Sequence, residues 1–315
     1  MKAAFTFPGQ GSQAVGMGRS LADNFRVARD VFAEVDDALG QRLSKLMWEG
    51  PADELTMTAN AQPALMAVSV AAIRVLEAEA GLDIGAEAAF VAGHSLGEYS
   101  ALAAARSLSL ADAARLLRIR GDAMQKAVPV GEGAMAALMG LEFEDADAVA
   151  REAAGAGEVC SAANDNGGGQ VVISGTRAAV ERALPLAQER GARRAVMLQV
   201  SAPFHCALMQ PAADAMAGAL AGVTINAPLA PLVANVTARP ETDPETIRRN
   251  LVAQVTGAVR WRESVAFMAG EGVGTFYEIG AGKVLTGLVK RIAASAKGVA
   301  IGTAEDVAAF VAARR

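Results

Sequence analysis

Two cysteines and two histidines are all that this chain of 315 residues carries of either type. Cys160 and Cys206 are too few for a disulfide framework, and neither stands in a C-x-x-C pair, so both read as free thiols. Aromatic residues make up 4% of the chain while alanine is abundant, which disfavours a wide all-β sandwich and favours helices packed closely on a sheet. No stretch reaches about 18 uninterrupted apolar residues, and the chain enters strand-like sequence at once, without a basic n-region or cleavage site. A cytoplasmic protein with no membrane partner is expected. Positive charge is not in excess either: a formal net charge of -5 disfavours nucleic acid, because binding a phosphate backbone needs a basic surface that releases counterions. Two local basic groups, Arg190 with Arg193 and Arg194, and Lys283 with Lys290 and Arg291, are either solvated faces or patches for an acidic partner. What the chain has in quantity is apolar residues, 52%, enough to bury one large core or two adjacent ones.

Short apolar runs alternate with helical periodicity. Residues 3–7 read as a strand, residues 26–39 as a helix with Val27, Val31 and Val35 on one face, and Gly40 as its stop. A helix is expected over 63–80 with Pro63 near the first turn. The run 88–92 is a buried-strand candidate that leads into Gly93-His94-Ser95-Leu96-Gly97, followed by a helix over 96–105. Another helix starts at Ser109, which with Asp112 resembles a capping arrangement, and runs to about Lys126.

The middle of the chain changes character. Strands at 134–141, 159–163, 170–174 and 193–198 and helices at 144–154 and 177–190 give the order β-α-β-β-α-β, the ferredoxin-like split pattern. Asn166-Gly167-Gly168-Gly169 is the turn between its central strands. The larger pattern then resumes, with helices at 206–220, 244–256, 261–270 and 284–293 and strands at 232–235 and 275–279. Strands separated by helices imply a parallel sheet with right-handed crossovers. The fold class is therefore α/β, a parallel-sheet, α/β-hydrolase-like core of residues 1–128 plus 200–315, interrupted by an inserted ferredoxin-like α+β subdomain of residues 129–199.

Gly93-x-Ser95-x-Gly97 between a buried strand and a helix is the context in which this motif carries chemistry. A tight strand-to-helix turn lifts the serine oxygen clear of the backbone, and the helix N-terminus favours developing negative charge there. The Leu96 N–H is the first oxyanion donor in that geometry. A serine nucleophile needs a base, and only His94 and His205 are available. His94 adjoins Ser95 at a sharp turn, where neighbouring side chains point apart. His205 is the better candidate, because it follows Ser201-Ala202-Pro203-Phe204, a loop between strand and helix where functional side chains are often placed. The group that orients its imidazole is left open between Glu278, at the end of a strand, and a backbone carbonyl. Gln10, in a glycine-rich loop just past the first strand, either brings a second N–H to the oxyanion or serves a plain turn or cap. Arg120 lies on a largely packed helix beside Leu116, Ile119 and Met124. Its planar fork requires an anionic partner, which is either a ligand carboxylate or an internal Asp or Glu.

Six segments together are similar to the malonyl-coenzyme A:acyl carrier protein transacylase family, which also supplies acyltransferase domains of fatty-acid and polyketide synthases. They are Phe7-Pro8-Gly9-Gln10-Gly11-Ser12-Gln13, the stretch from Gly93 to Leu102, Arg120 to Gln125, Gly169 to Gly175, Pro203-Phe204-His205 with Met209 and Pro211, and Glu278 to Gly287. The resemblance covers nearly the whole chain. It implies Ser95 as the acylated nucleophile, His205 as general base and acid, Arg120 as the clamp for the malonate carboxylate, and the amides of Gln10 and Leu96 as the oxyanion hole. It also implies that a main-chain carbonyl, here that of Gln254, orients the histidine in place of Glu278. Phe204 resembles the bulky residue of malonyl-selective members, where one methyl of discrimination amounts to about 1–3 kcal/mol. The chain departs from the family at Gly167-Gly168-Gly169, which lacks a common Ser-Pro, and at Ala281, where a proline is common.

The expected reaction is ping-pong transfer of malonyl from coenzyme A to the phosphopantetheine thiol of an acyl carrier protein through malonyl-Ser95. No cofactor or metal is expected, malonyl-coenzyme A entering as substrate, and the protein is expected to act as a monomer. A stand-alone acyltransferase for a polyketide synthase, a serine esterase or thioesterase, and an idle carrier-docking module are the competing readings.

Overall fold

A computed structural model describes residues 2–200 and 202–314. Among these, two sheets form. The larger has six strands in the order β10-β9-β1-β2-β7-β8, where β1 is Lys2–Phe7, β2 Ala88–Gly93, β7 Leu232–Val233, β8 Pro240–Glu241, β9 Val273–Ile279 and β10 Lys297–Ile301. All neighbours pair in parallel except β8, which runs antiparallel to β7 at the edge. Proline cannot donate to a ladder, so Pro240 belongs on such an edge. Ala4 to Phe7 are buried on both faces, as a central parallel strand under two helical layers requires.

The smaller sheet holds β3 (Gly133–Met139), β4 (Cys160–Asp165), β5 (Gln170–Thr176) and β6 (Arg194–Met197) in the order β4-β5-β3-β6, wholly antiparallel. Helices Phe143–Ala153 and Arg177–Glu189 pack on it around a core of their own, which includes Leu138, Val149, Ile173 and Val180. This is the ferredoxin-like order expected from the β-α-β-β-α-β pattern.

Sequence periodicity places most helices closely. The helix Arg26–Leu39 ends on Gly40, whose φ of 58° suits a residue without Cβ. Leu110–Lys126 is capped by the Ser109 hydroxyl, which accepts the Asp112 N–H at 3.0 Å. The helix expected from Pro63 starts at Thr58, so Pro63 lies inside it and not at its entry. This helix, Thr58–Ala80, is also long and apolar enough to cross a membrane, although no uninterrupted apolar run exists. It is the core helix, with 83% of its apolar window buried within the protein. The helix expected from Cys206 opens as a short 3-10 turn, Ala207–Met209, before Gln210–Ala221.

Glycine lets the two long helices meet. A Cβ on Gly121 would stand 2.5 Å from the Ala59 Cα, so any larger residue would push Leu110–Lys126 away from Thr58–Ala80. The contact places Arg120 opposite Gln62.

Candidate active site

Ser95 occupies the turn between β2 and the helix Gly97–Ala104, with a left-handed φ of 54°. Non-glycine residues rarely adopt this conformation, and it is held here by sterics and hydrogen bonds. A Cβ on Gly93 would lie 1.8 Å from the Gly97 carbonyl carbon, and one on Gly97 would lie 2.3 Å from the Phe7 oxygen. The turn can thus fold back only on glycine at both positions. The Asn235 side chain then pins it, accepting the Ser95 N–H at 2.8 Å and donating to the Gly93 carbonyl at 2.7 Å.

His205, just past a loop whose first residue, Ser201, lies outside the described residues, brings its Nε2 to 2.7 Å from the Ser95 Oγ. Its own φ is 60°. Nδ1 faces two carbonyls, Gln254 at 2.9 Å and Gly257 at 3.1 Å, and two acceptors require that Nδ1 carry the proton. Nε2 is thereby left as an acceptor aimed at the serine hydroxyl. Burial, with the positive charge of Arg120 nearby, pushes the His205 pKa down from 6.5 to about 3, so the ring is neutral at physiological pH.

His94 points away from Ser95. Its Nε2 pairs with the Asn166 Oδ1 at 2.9 Å, its ring packs on Trp261 with centroids 5.6 Å apart, and burial lowers its pKa. Glu278 is also not beside the imidazole. Its two oxygens accept the N–H groups of Leu285 and Thr286 at 3.0 and 2.7 Å, so it caps the helix Val284–Ile292 and offsets the free amides there.

Arg120 is 1% exposed. Its guanidinium donates from Nη1 to the Gln62 Oε1 at 2.7 Å, and from Nη2 to the Gln254 Oε1 at 2.7 Å and the Ser95 Oγ at 3.2 Å. The internal Asp or Glu that the sequence left as one option is not in contact: the acceptors are neutral, and the nearby carboxyl of Glu98 is reached through Gln254. A buried cation without an ion pair is costly. Such a fork is suited to an anionic group arriving from the adjoining cavity.

That cavity, about 370 Å³, is lined by Gln10, His94, Ser95, Leu96, Arg120 and His205 among others, with Phe204 and Met135 on its apolar side. Gln10 is held through its side chain, whose Oε1 accepts the Thr58 hydroxyl at 3.0 Å, and Thr58 in turn accepts from Gln62 at 2.9 Å. Gln10 and Arg120 are therefore joined through two intervening side chains. Sequence reasoning missed Asn235, Gln62, Glu98 and Asn166. The usable signal for Asn235 was a lone polar residue closing the apolar run Leu232-Val233-Ala234, and for Glu98 its position three residues after Ser95 on a helix.

A hydroxyl on a strained strand-to-helix turn, a neutral imidazole within hydrogen-bond reach and a buried guanidinium beside them suit transfer of an acidic acyl group, and the chain is an acyl transferase by family. Residues 4–309 match the acyl transferase domain model, and the chain belongs to that family. Within it the relatives are malonyl CoA-acyl carrier protein transacylases. The protein of that name from Escherichia coli (strain K12) is 50% identical over 289 residues, 92% of each chain. The crystal structure of acyl-carrier-protein-S-malonyltransferase from Bartonella henselae is 59% identical and superposes with a TM-score of 0.96 over 100% of this chain and 99% of its own. A malonyl-transacylase solved in complex with its type II PKS acyl-carrier protein is 44% identical, with a TM-score of 0.95 over 99% of this chain and 100% of its own.

Proposed function

We propose that this chain moves malonyl from coenzyme A to the phosphopantetheine thiol of an acyl carrier protein in fatty-acid biosynthesis, by way of a malonyl ester on Ser95. The observation that carries the reading is the convergence of two groups, an imidazole and a guanidinium, on the Ser95 hydroxyl oxygen. The Ser95 Oγ has the His205 Nε2 at 2.7 Å and the Arg120 Nη2 at 3.2 Å.

His205 takes the Ser95 proton as the oxygen attacks the thioester carbonyl. The resulting oxyanion is met by the amides of Gln10 and Leu96, whose residues border the cavity. His205, its Nδ1 fixed by the Gln254 carbonyl, returns that proton to the departing coenzyme A sulfur. The carrier thiol then gives its proton to His205 and attacks the malonyl ester, and His205 hands the proton back to Ser95. Through both halves Arg120 holds the distal carboxylate, the interaction that selects malonyl over acetyl. Apolar lining from Met135, Val172 and Phe204 favours the thioester over water at the ester stage.

The same reading divides the chain into a catalytic domain of residues 1–128 plus 200–315 and an inserted subdomain of residues 129–199, with the cavity between them. Met135, Ala137, Gln170 and Val172 line it from the insert, and Ser95 and His205 from the larger part. It places a monomer in the cytoplasm, with malonyl-coenzyme A and the carrier protein as its partners. Incubation with malonyl-coenzyme A and holo carrier protein tests the proposal. Malonyl-carrier should accumulate, whereas release of free malonate at the same rate without carrier would favour an esterase or thioesterase. A carrier from a polyketide synthase in parallel separates the two pathways.

A further inference from the structure

Glu98 sits on the first turn of the helix Gly97–Ala104, is 1% exposed and does not line the cavity. Among the described residues no basic side chain forms a salt bridge with it. Its two oxygens instead each accept one N–H from a residue that holds the reacting groups. Oε1 accepts the backbone N–H of Asn235 at 3.0 Å, and the Asn235 side chain pins Ser95 and Gly93. Oε2 accepts the Gln254 Nε2, which also donates to the Ser95 carbonyl at 2.8 Å.

The two ends of a carboxamide are chemically different, one accepting and the other donating. Gln254 can present its oxygen to the Arg120 Nη2 only while its nitrogen faces acceptors, which here are the Ser95 carbonyl and Glu98. The Asn235 amide imposes a second donor on the other oxygen of Glu98. Two donors on two oxygens are satisfied together by a carboxylate and by no other side chain of that shape. Burial pushes the carboxyl up to about 7, with both donors and the charge of Arg120 acting in the opposite direction. A residue needed only to fill space at this position would be apolar.

We infer that Glu98 is a positioning residue: its paired oxygens fix the orientation of the Gln254 carboxamide and the Asn235 backbone, and through them the aim of Arg120 and the pitch of the Ser95 turn. The inference rests on malonyl transfer at Ser95 and deepens it, by assigning acyl selectivity to a residue outside the cavity.

Glu98→Gln tests it at nearly constant volume. The new NH2 faces a donor on one side or the other, and the Gln254 carboxamide relieves the clash by turning its nitrogen toward Arg120. Single-turnover acylation by malonyl-coenzyme A and acetyl-coenzyme A, measured on one preparation, gives a rate ratio independent of the fraction folded. That ratio should fall about tenfold, the loss expected when one hydrogen bond to a buried charged group is spoiled. Gln254→Leu, which keeps its backbone carbonyl, should lower the ratio similarly, and adding Glu98→Gln to it should lower the ratio no further. A ratio unchanged in Glu98→Gln, or fully additive losses in the double variant, overturns the assignment. Should Glu98→Gln not accumulate as folded protein, Glu98→Ala in formate buffer replaces it. Recovery of the ratio with formate supports positioning, and no folded protein in either case indicates a packing role and overturns it. Failure of the unmodified protein to become malonylated would instead defeat the transfer reading itself.

Discussion

His205 and Ser95 meet at 2.7 Å with both backbones in the left-handed region, at φ 60° and 54°. Neither residue is glycine, and each such conformation costs on the order of 1–3 kcal/mol. The surroundings impose both. The Ser95 turn is trapped between Phe7, Gly93 and Gly97 and tied to Asn235, while the His205 ring is fastened to two carbonyls. Packing around the two strained backbones holds the Ser95 oxygen and the His205 nitrogen within hydrogen-bond reach.

Gly97→Ala should disrupt this arrangement, because its Cβ would overlap the Phe7 carbonyl oxygen at 2.3 Å. Backbone does not yield as a flexible side chain does, so a stability loss of about 3 kcal/mol or more is expected, at the severe end for single substitutions. Thermal or denaturant unfolding measures it, together with loss of acylation. A variant as stable as the parent would show that the turn has room that the packing denies.

Arg120→Ala should lower acylation by malonyl-coenzyme A about 100-fold or more, as removal of one partner from a desolvated charge pair does. Acetyl-coenzyme A, which presents no carboxylate, should lose far less. The comparison of kcat/KM for the two donors checks this. Equal losses would move Arg120 from selecting the acyl group to supporting Ser95, whose Oγ its Nη2 also touches at 3.2 Å.

Acidification reads out His205. Its folded pKa, about 3, lies below the ordinary value of 6.5, so between these pH values the unfolded chain binds the extra proton. The contribution of His205 to stability is therefore present above pH 6.5 and is lost as pH falls toward 3. Glu98 contributes with the opposite sign: its folded value of about 7 lies above 4.5, so its contribution is lost as pH rises from 4.5 to 7. Comparison of unfolding free energies of the parent and His205→Asn across this range isolates the histidine. In kcat/KM no acid limb from His205 is expected near pH 6.5, and in Arg120→Ala, measured with acetyl-coenzyme A, the limb should rise because a repelling charge is gone. A limb at 6.5 that persists in Glu98→Gln, where no carboxyl titrates at that position, would contradict a neutral, buried base.

Much of this site is legible in the sequence, for reasons specific to each residue. Ser95 is found because a strand, a tight turn and a helix in succession require small residues at 93 and 97. His205 follows from elimination, since the chain has only one other histidine and that one adjoins the serine. Arg120 is less legible: its helix also carries Arg115, Arg118 and Asp122, Ile119 beside it is exposed, and only the family resemblance singles it out from those other charges. Glu278 misleads in isolation: a carboxylate ending a strand can orient a base or cap the next helix, and the two uses have the same local sequence. Asn235 and Gln62 act through contacts 140 and 58 positions away, to Ser95 and Arg120, and no spacing rule reveals such pairings. β10 was missed because it opens on Lys297 and Gly298, poor strand formers; the glycine is needed where a Cβ would meet the Thr286 Cγ2 at 2.8 Å.

The most direct measurement is intact-protein mass after brief exposure to malonyl-coenzyme A, followed by peptide mapping. One malonyl group per chain, borne by the peptide that contains Ser95, discharged by holo carrier protein and absent in Ser95→Ala, is the predicted result. A malonyl adduct that persists in Ser95→Ala, or a parent protein that transfers malonyl to the carrier without ever carrying it, would contradict the account.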